Sequence, residues 1–292
     1  MDFNLNRYLM PIRREFKRRE NQKKAPLASR EVVQIEDFDF SKFSEHEGDS
    51  GELLLATRKS NHKDQYLIKH AFTDCACNEF IYTKLTLAMG YPMPEAVLFQ
   101  PTSEEELSHF ETEYIIGERL LNVINAQPSY NEIRELANNW SDYFAFYALY
   151  GMMNEGDGVD LLLADDNLIY RIDTTDAFPV SCYQLDIAAV DQVISGTNLY
   201  HATKAKMLSS NFQNVLNWST CDWLLEKCLN LDSGCKPYFM EPFARIQEVR
   251  EDYIDNFLNT LCYFYPDFIG EYFKHYFSAL KKQAAAYWQK KR

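Results

Sequence analysis

Seven acidic side chains fall between Asn154 and Phe178, in NEGDGVDLLLADDNLIYRIDTTDAF: Glu155, Asp157, Asp160, Asp165, Asp166, Asp173 and Asp176, against a single base, Arg171. Two apolar runs, LLLA and LIYRI, flank the turn ADDN, which reads as a small β-hairpin with acids at both ends. The interval from Asp160 to Asp173 suits two strands of about four to five residues and a turn, so both carboxylates would meet at the hairpin's open end. Paired hard oxygens are what Mg2+ takes, usually one or two carboxylates with waters and substrate phosphates. The alternative is a solvated acidic loop. A second candidate is Lys69, closing the apolar run YLIK. A lysine there loses hydration and needs an anion, or else it snorkels to solvent; Glu79, one turn into the next helical segment, is a suitable partner.

The elements that must position these groups follow from pattern. VVQIEDFDF (32–40), GELLLATRK (51–59) and DQYLIKHAF (64–72) read as a three-strand meander. DCACNEFIYTKLTLAMG reads as one helix of about four turns, with Asp74 as N-cap and Gly90 and Pro92 as the stop. EAVLFQP (95–101) and HFETEYIIG (109–117) supply two more strands. From 119 the period changes: LLNVI, EIRELANNW and DYFAFYALYGMM are apolar at helical spacing, and beyond 185 almost everything reads as helix apart from short connections. The expectation is an α+β chain in two lobes. A sheet-rich N-lobe of five strands and one helix spans 31–118, and a mostly helical C-lobe carrying the hairpin spans 119–292.

Composition supports an independently folding chain, with 292 residues, 46% hydrophobic and 15% aromatic. No apolar run is long enough for a membrane span, and the N-terminus lacks a secretory pattern, so a cytoplasmic location is expected. Seven cysteines then read as reduced thiols. Their spacing lacks the short repeated pairs of a zinc site, and Cys221 and Cys228 fit the core of a helix. None of the six histidines sets up a nucleophile triad. The net charge of −13 is uneven: residues 1–30 hold nine Lys or Arg against three acids, a local +6 that leaves −19 for the rest. This basic arm suits an acidic partner or an anionic surface, while the acidic body argues against nucleic acid as its partner.

The order of strands, helix, helices and acidic hairpin resembles the protein-kinase-like fold. Three segments, YLIKHAF…NEFIYTKLTLAMGYPMPEAVLF, TEYIIGERL and NEGDGVDLLLADDNLIYRIDTTDAF, are similar to the HipA-like serine/threonine kinases and their phosphatidylinositol-kinase relatives. The resemblance spans roughly residues 32 to 180. It implies ATP and Mg2+ as cofactors, with Lys69 on the phosphates and Glu79 orienting Lys69. It further implies Asp160 and Asp173 as metal ligands and Glu155 as the group that orients the acceptor hydroxyl. Ser50, in SEHEGDSGELLLA, would stand in the phosphate loop, and Glu113, Tyr114 and Ile115 would face the adenine.

The chain departs from the family pattern at the loop before the hairpin. Glu155 stands where Asp is usual and Asp160 where Asn is usual. The first change lengthens the side chain by about 1 Å, a displacement that can cost about 10²-fold in rate. The second adds a negative charge, which tightens metal binding and repels phosphate. Asp157, between Gly156 and Gly158, is the alternative acceptor-orienting carboxylate. The phosphate loop lacks G-x-G-x-x-G and is crowded by Glu45, Glu47, Asp49 and Glu52. Three readings follow: an active phosphotransferase with an unspecified acceptor, a pseudokinase serving as a nucleotide-binding or regulatory module, or an interaction scaffold.

Overall fold

The N-terminal meander forms with one more strand than the sequence pattern suggests. The computed structural model describes residues 32–43, 53–68, 73–100, 115–156, 158–174, 176–178, 205, 209, 212–261 and 267–291. The run 32–40, expected as one strand, is broken by a single 3₁₀ turn at Ile35–Asp37 into β1 (Val32–Gln34) and β2 (Phe38–Lys42). The break lets β1 leave β2 and pair in parallel with β5 (Ala96–Gln100), at the far edge of the sheet. With β3 (Leu54–Arg58), β4 (Gln65–Ile68) and β6 (Ile115–Arg119), the order is β1-β5-β6-β4-β3-β2, six strands rather than five.

Alternation along these strands divides the sheet's side chains between two cores, as a period of two dictates. Val33, Phe38, Ala56, Tyr66, Ile68, Val97 and Phe99 form a small cluster in which the Phe99 ring meets Phe38 edge-on at 4.9 Å. Ala96, Leu98 and Ile116 instead join the main core. They face α1 (Thr73–Ala88), which packs against β5 and β6. Every residue of α1 from Cys77 to Thr86 is buried, the mark of a helix enclosed on all sides. Asp74 lies within its first turn rather than at its N-cap. Its end is the expected one: Gly90 adopts φ +83°, the Gly90 amide bonds the Leu87 carbonyl, and the Tyr91 amide bonds Thr86.

The helical lobe begins with a correction. LLNVI does not continue a helix; Val123–Asn125 is a short strand, β7, which pairs antiparallel with the hairpin and makes it three-stranded. Three residues carry too little periodicity to reveal a strand, and its partner decides. EIRELANNW is helical only to Leu136, in α2 (Tyr130–Leu136); Ala137 is already extended and α3 (Asp142–Met152) starts afresh. Then come β8 (Asp160–Ala164), β9 (Ile169–Ile172), α4 (Trp218–Leu231), α5 (Lys236–Arg245), α6 (Glu251–Leu261) and α7 (Asp267–Lys291).

The helices α3, α4, α5 and α7 pack on one another, and α6 bridges α7 to α1. Their aromatic and aliphatic side chains form one core continuous with α1. Arg245 on α5 reinforces that junction, donating to the Met89 carbonyl at 2.8 Å while its guanidinium lies over the Tyr91 ring. Cys221 and Cys228 are buried on α4, and Cys235 at the start of α5; all three are free thiols. The fold is thus an α+β one in two lobes, a sheet-rich lobe followed by a mostly helical one. Among the described residues no helix is long and apolar enough to cross a membrane.

Candidate functional site

The hairpin forms in the register its length implied. Asp160 pairs with Ile172, Leu161 with Arg171 and Leu163 with Ile169, so Asp173, the next residue, lies at the same open end as Asp160. Both carboxylates are exposed. Asp173 takes φ +55°, a left-handed conformation uncommon outside glycine that Asp tolerates better than most residues, as does Asn167 in the hairpin turn at φ +59°. At the other end Asp165 and Asp166 are exposed turn residues. The Asp166 carboxylate accepts from the Leu168 amide at 3.0 Å and the Tyr170 hydroxyl at 2.7 Å, while Asp165 accepts from Asn122 at 2.9 Å. These bonds shape the turn and leave both residues at the surface.

The loop before the hairpin is fixed from beneath. It leaves α3 at Met153, passes through Asn154 at φ +55°, and is held by the Glu155 amide bonding to the Tyr150 carbonyl. Glu155 then turns inward. Its carboxylate, 2% exposed, forms an ion pair with the fully buried Arg171 guanidinium. Burial pushes the Glu155 carboxyl above its ordinary range, against the pull of Arg171 and of the Tyr82 hydroxyl, which faces the pair from α1. Arg171 does more than neutralise Glu155. One terminal nitrogen also donates to the Gly158 carbonyl at 2.6 Å, and the other to the carbonyls of Asp160, at 3.0 Å, and Ile172.

The segment after the hairpin returns to the same place. The Phe178 amide donates to the Met153 carbonyl at 2.9 Å, and Ala177 to Thr174. The Phe178 ring is packed among Tyr82, Phe273, Tyr276 and Phe277. Thr174, Ala177 and Phe178 are buried, whereas Asp173 and Asp176 are exposed.

The structure therefore places Asp160 and Asp173 at the same end of the hairpin and turns Glu155 away from solvent. Glu79 lies on α1, fully buried, one turn before Tyr82. Ile115 opens β6. Lys69, Ser50, Glu113, Tyr114 and Asp157 lie outside the described residues, as does the basic arm 1–30. Lys69 directly follows Ile68, whose backbone neighbours are Leu54 and Gly117.

No sequence motif marks Arg171. Its signal was period-two alternation: in IYRI, Arg171 shares a face with the buried Ile169, and a charge on a core-facing position demands a partner.

The donor set suits magnesium in its usual mode. Among the described residues no group of three or more His, Cys, Asp or Glu could hold a metal by protein ligands alone. Two exposed carboxylates on adjoining strand ends are what a cation shared with phosphate oxygens requires.

No protein-family model matches this chain, and no curated protein does. Among solved structures, the crystal structure of a Helicobacter pylori proinflammatory kinase, CtkA, is similar at a TM-score of 0.46 and 10% identity, over 89% of this chain and 98% of that one. That likeness concerns the course of the chain and carries nothing about chemistry.

Proposed function

We propose that the chain is an ATP-dependent phosphotransferase of the HipA-like type, moving a phosphoryl group to a hydroxyl acceptor in a magnesium-dependent reaction. The observation that carries this reading is the hairpin mouth, where register places Asp160 and Asp173 at one end with Asp173 in a left-handed conformation. Asp160 and Asp173 would hold the cation, which when bound neutralises charge on the nucleotide phosphates. Lys69 would contact the phosphates and Glu79 would orient Lys69. Ser50 would add a donor to the phosphate loop, and the 113–115 stretch would face the adenine. Arg171 already engages the Glu155 carboxylate, which leaves Asp157 as the acceptor-orienting carboxylate of this reading.

The same ion pair favours a second reading, a pseudokinase that binds nucleotide without transferring phosphate. Incubation with labelled ATP and Mg2+, followed by mass spectrometry of the protein, tests for transfer. A thermal-shift titration tests for binding, because a ligand of the native state raises the melting temperature. Asp173→Asn is expected to abolish magnesium-dependent turnover at unchanged melting temperature of the free protein; retained turnover refutes the assignment. A shift without transfer to any acceptor supports the pseudokinase.

A further inference from the structure

A buried arginine that spends its donors on backbone carbonyls is an expensive feature unless those carbonyls must be held. Arg171 is fully buried on β9, and four acceptors surround its two terminal nitrogens: the Glu155 carboxylate and the carbonyls of Gly158, Asp160 and Ile172. Two of these carbonyls belong to Asp160 and to the residue immediately before Asp173. The other two acceptors lie on the loop that enters the hairpin.

We infer that Arg171 is the positioning residue of this site: by fastening the 155–160 loop to the start of the 172–178 segment, it sets the separation of the Asp160 and Asp173 carboxylates. Glu155 is its counter-charge, needed because an unpaired guanidinium would not be tolerated at this depth. Tyr82 closes the third side of the pair from α1, so the helix that carries Glu79 abuts the same cluster. The planar fork is essential to this role. A lysine at 171 keeps the charge opposite Glu155 but offers a compact ammonium on a flexible stem, which cannot span acceptors on both segments at once. The inference rests on the phosphotransfer reading only in naming a cation as what the two carboxylates face.

Arg171→Lys tests it through two measurements. In hydrogen–deuterium exchange, peptides covering 155–160 and 172–178 are expected to exchange at least about tenfold faster than in the wild type, while amides in the β8–β9 ladder keep their protection. In thermal shift with ATP, the magnesium concentration giving half the maximal shift is expected to rise at least about tenfold. The double substitution Glu155→Gln with Arg171→Met removes both buried charges and is expected to fold with the same two defects, so a destabilised single variant does not leave the matter open.

Wild-type exchange and a wild-type magnesium requirement in both variants overturn the inference. Faster exchange with an unchanged magnesium requirement also overturns it, because Arg171 is then structural only. If the wild-type protein shows no magnesium-dependent shift with ATP, the phosphotransfer reading fails, and the exchange measurement alone decides whether Arg171 holds the two segments.

Discussion

Among the described glycines Gly117 on β6 leaves the least room for a Cβ, so the cost of Gly117→Ala can be sized from contacts. A Cβ there would lie 2.4 Å from Cε2 of Phe99, 3.1 Å from its Cδ2 and 3.3 Å from the Tyr66 Cβ. The closest approach falls about 1 Å short of ordinary contact between carbons. Phe99 cannot swing away freely: it is fully buried, and Phe38, Tyr66 and Phe40 stand edge-on around it at 4.9, 5.9 and 6.1 Å. Overpacking of this kind costs about 1–3 kcal/mol, and relief of the glycine's backbone entropy returns roughly 0.5–1 kcal/mol. The expected net loss is about 1 kcal/mol, or a melting temperature lower by about 3 °C for a chain of this size. Urea denaturation followed by tryptophan fluorescence should show a lower midpoint with an unchanged slope. Adding Phe99→Leu should recover part of the loss, since the two changes share one contact. A Gly117→Ala protein as stable as the wild type would refute the packing argument, because the entropy gain would then outweigh the clash.

Other outcomes follow from local geometry. Ser129 and Glu132 form a reciprocal cap at the start of α2, so Ser129→Ala should cost about 1 kcal/mol in the same denaturation assay. Hydrogen bonds from the Ser129 hydroxyl and amide hold the Glu132 carboxyl below its ordinary range. That contribution is present above the carboxyl's unfolded pKa and is lost as pH falls through its lower folded value; a gap between wild type and Ser129→Ala that widens in acid would contradict it. Burial pushes Cys221 and Cys228 up to about 12 and Cys235 to about 11, so iodoacetamide near pH 8 should leave all three unmodified in the native protein. Mass spectrometry of tryptic peptides reads this directly, and rapid labelling at those cysteines would show that the helices open more readily than their packing implies.

The hairpin was legible because its length and alternation admit one register, and that register puts Asp160 and Asp173 at the same end. Gly90 was legible as a helix stop for a similarly local reason, the left-handed turn it supplies. What escaped the sequence depended on partners distant along the chain. Residues 32–40 look like one strand until β1 is seen to pair with β5, and Val123–Asn125 has no strand character apart from β8. At the site, motif position assigned Glu155 to the acceptor, yet its orientation is set by Arg171, sixteen residues later, and by Tyr82 on a helix of the other lobe. A charged residue at a core-facing strand position was the available clue, and its meaning emerges only when the carboxylate and carbonyls it meets are known.

The Arg171 fork has a consequence for how this site could diversify. At 160 and 172 it recognises main-chain oxygens, which every amino acid supplies, so the side chains there are free to change without loosening the fork. Exchange of Asp160 for asparagine or a neutral residue could retune or silence the hairpin mouth in one mutational step, with the scaffold kept. Glu155 and Arg171 have no such freedom, since loss of either strands the other's charge in the core; they are expected to persist together or vanish together among descendants of this chain.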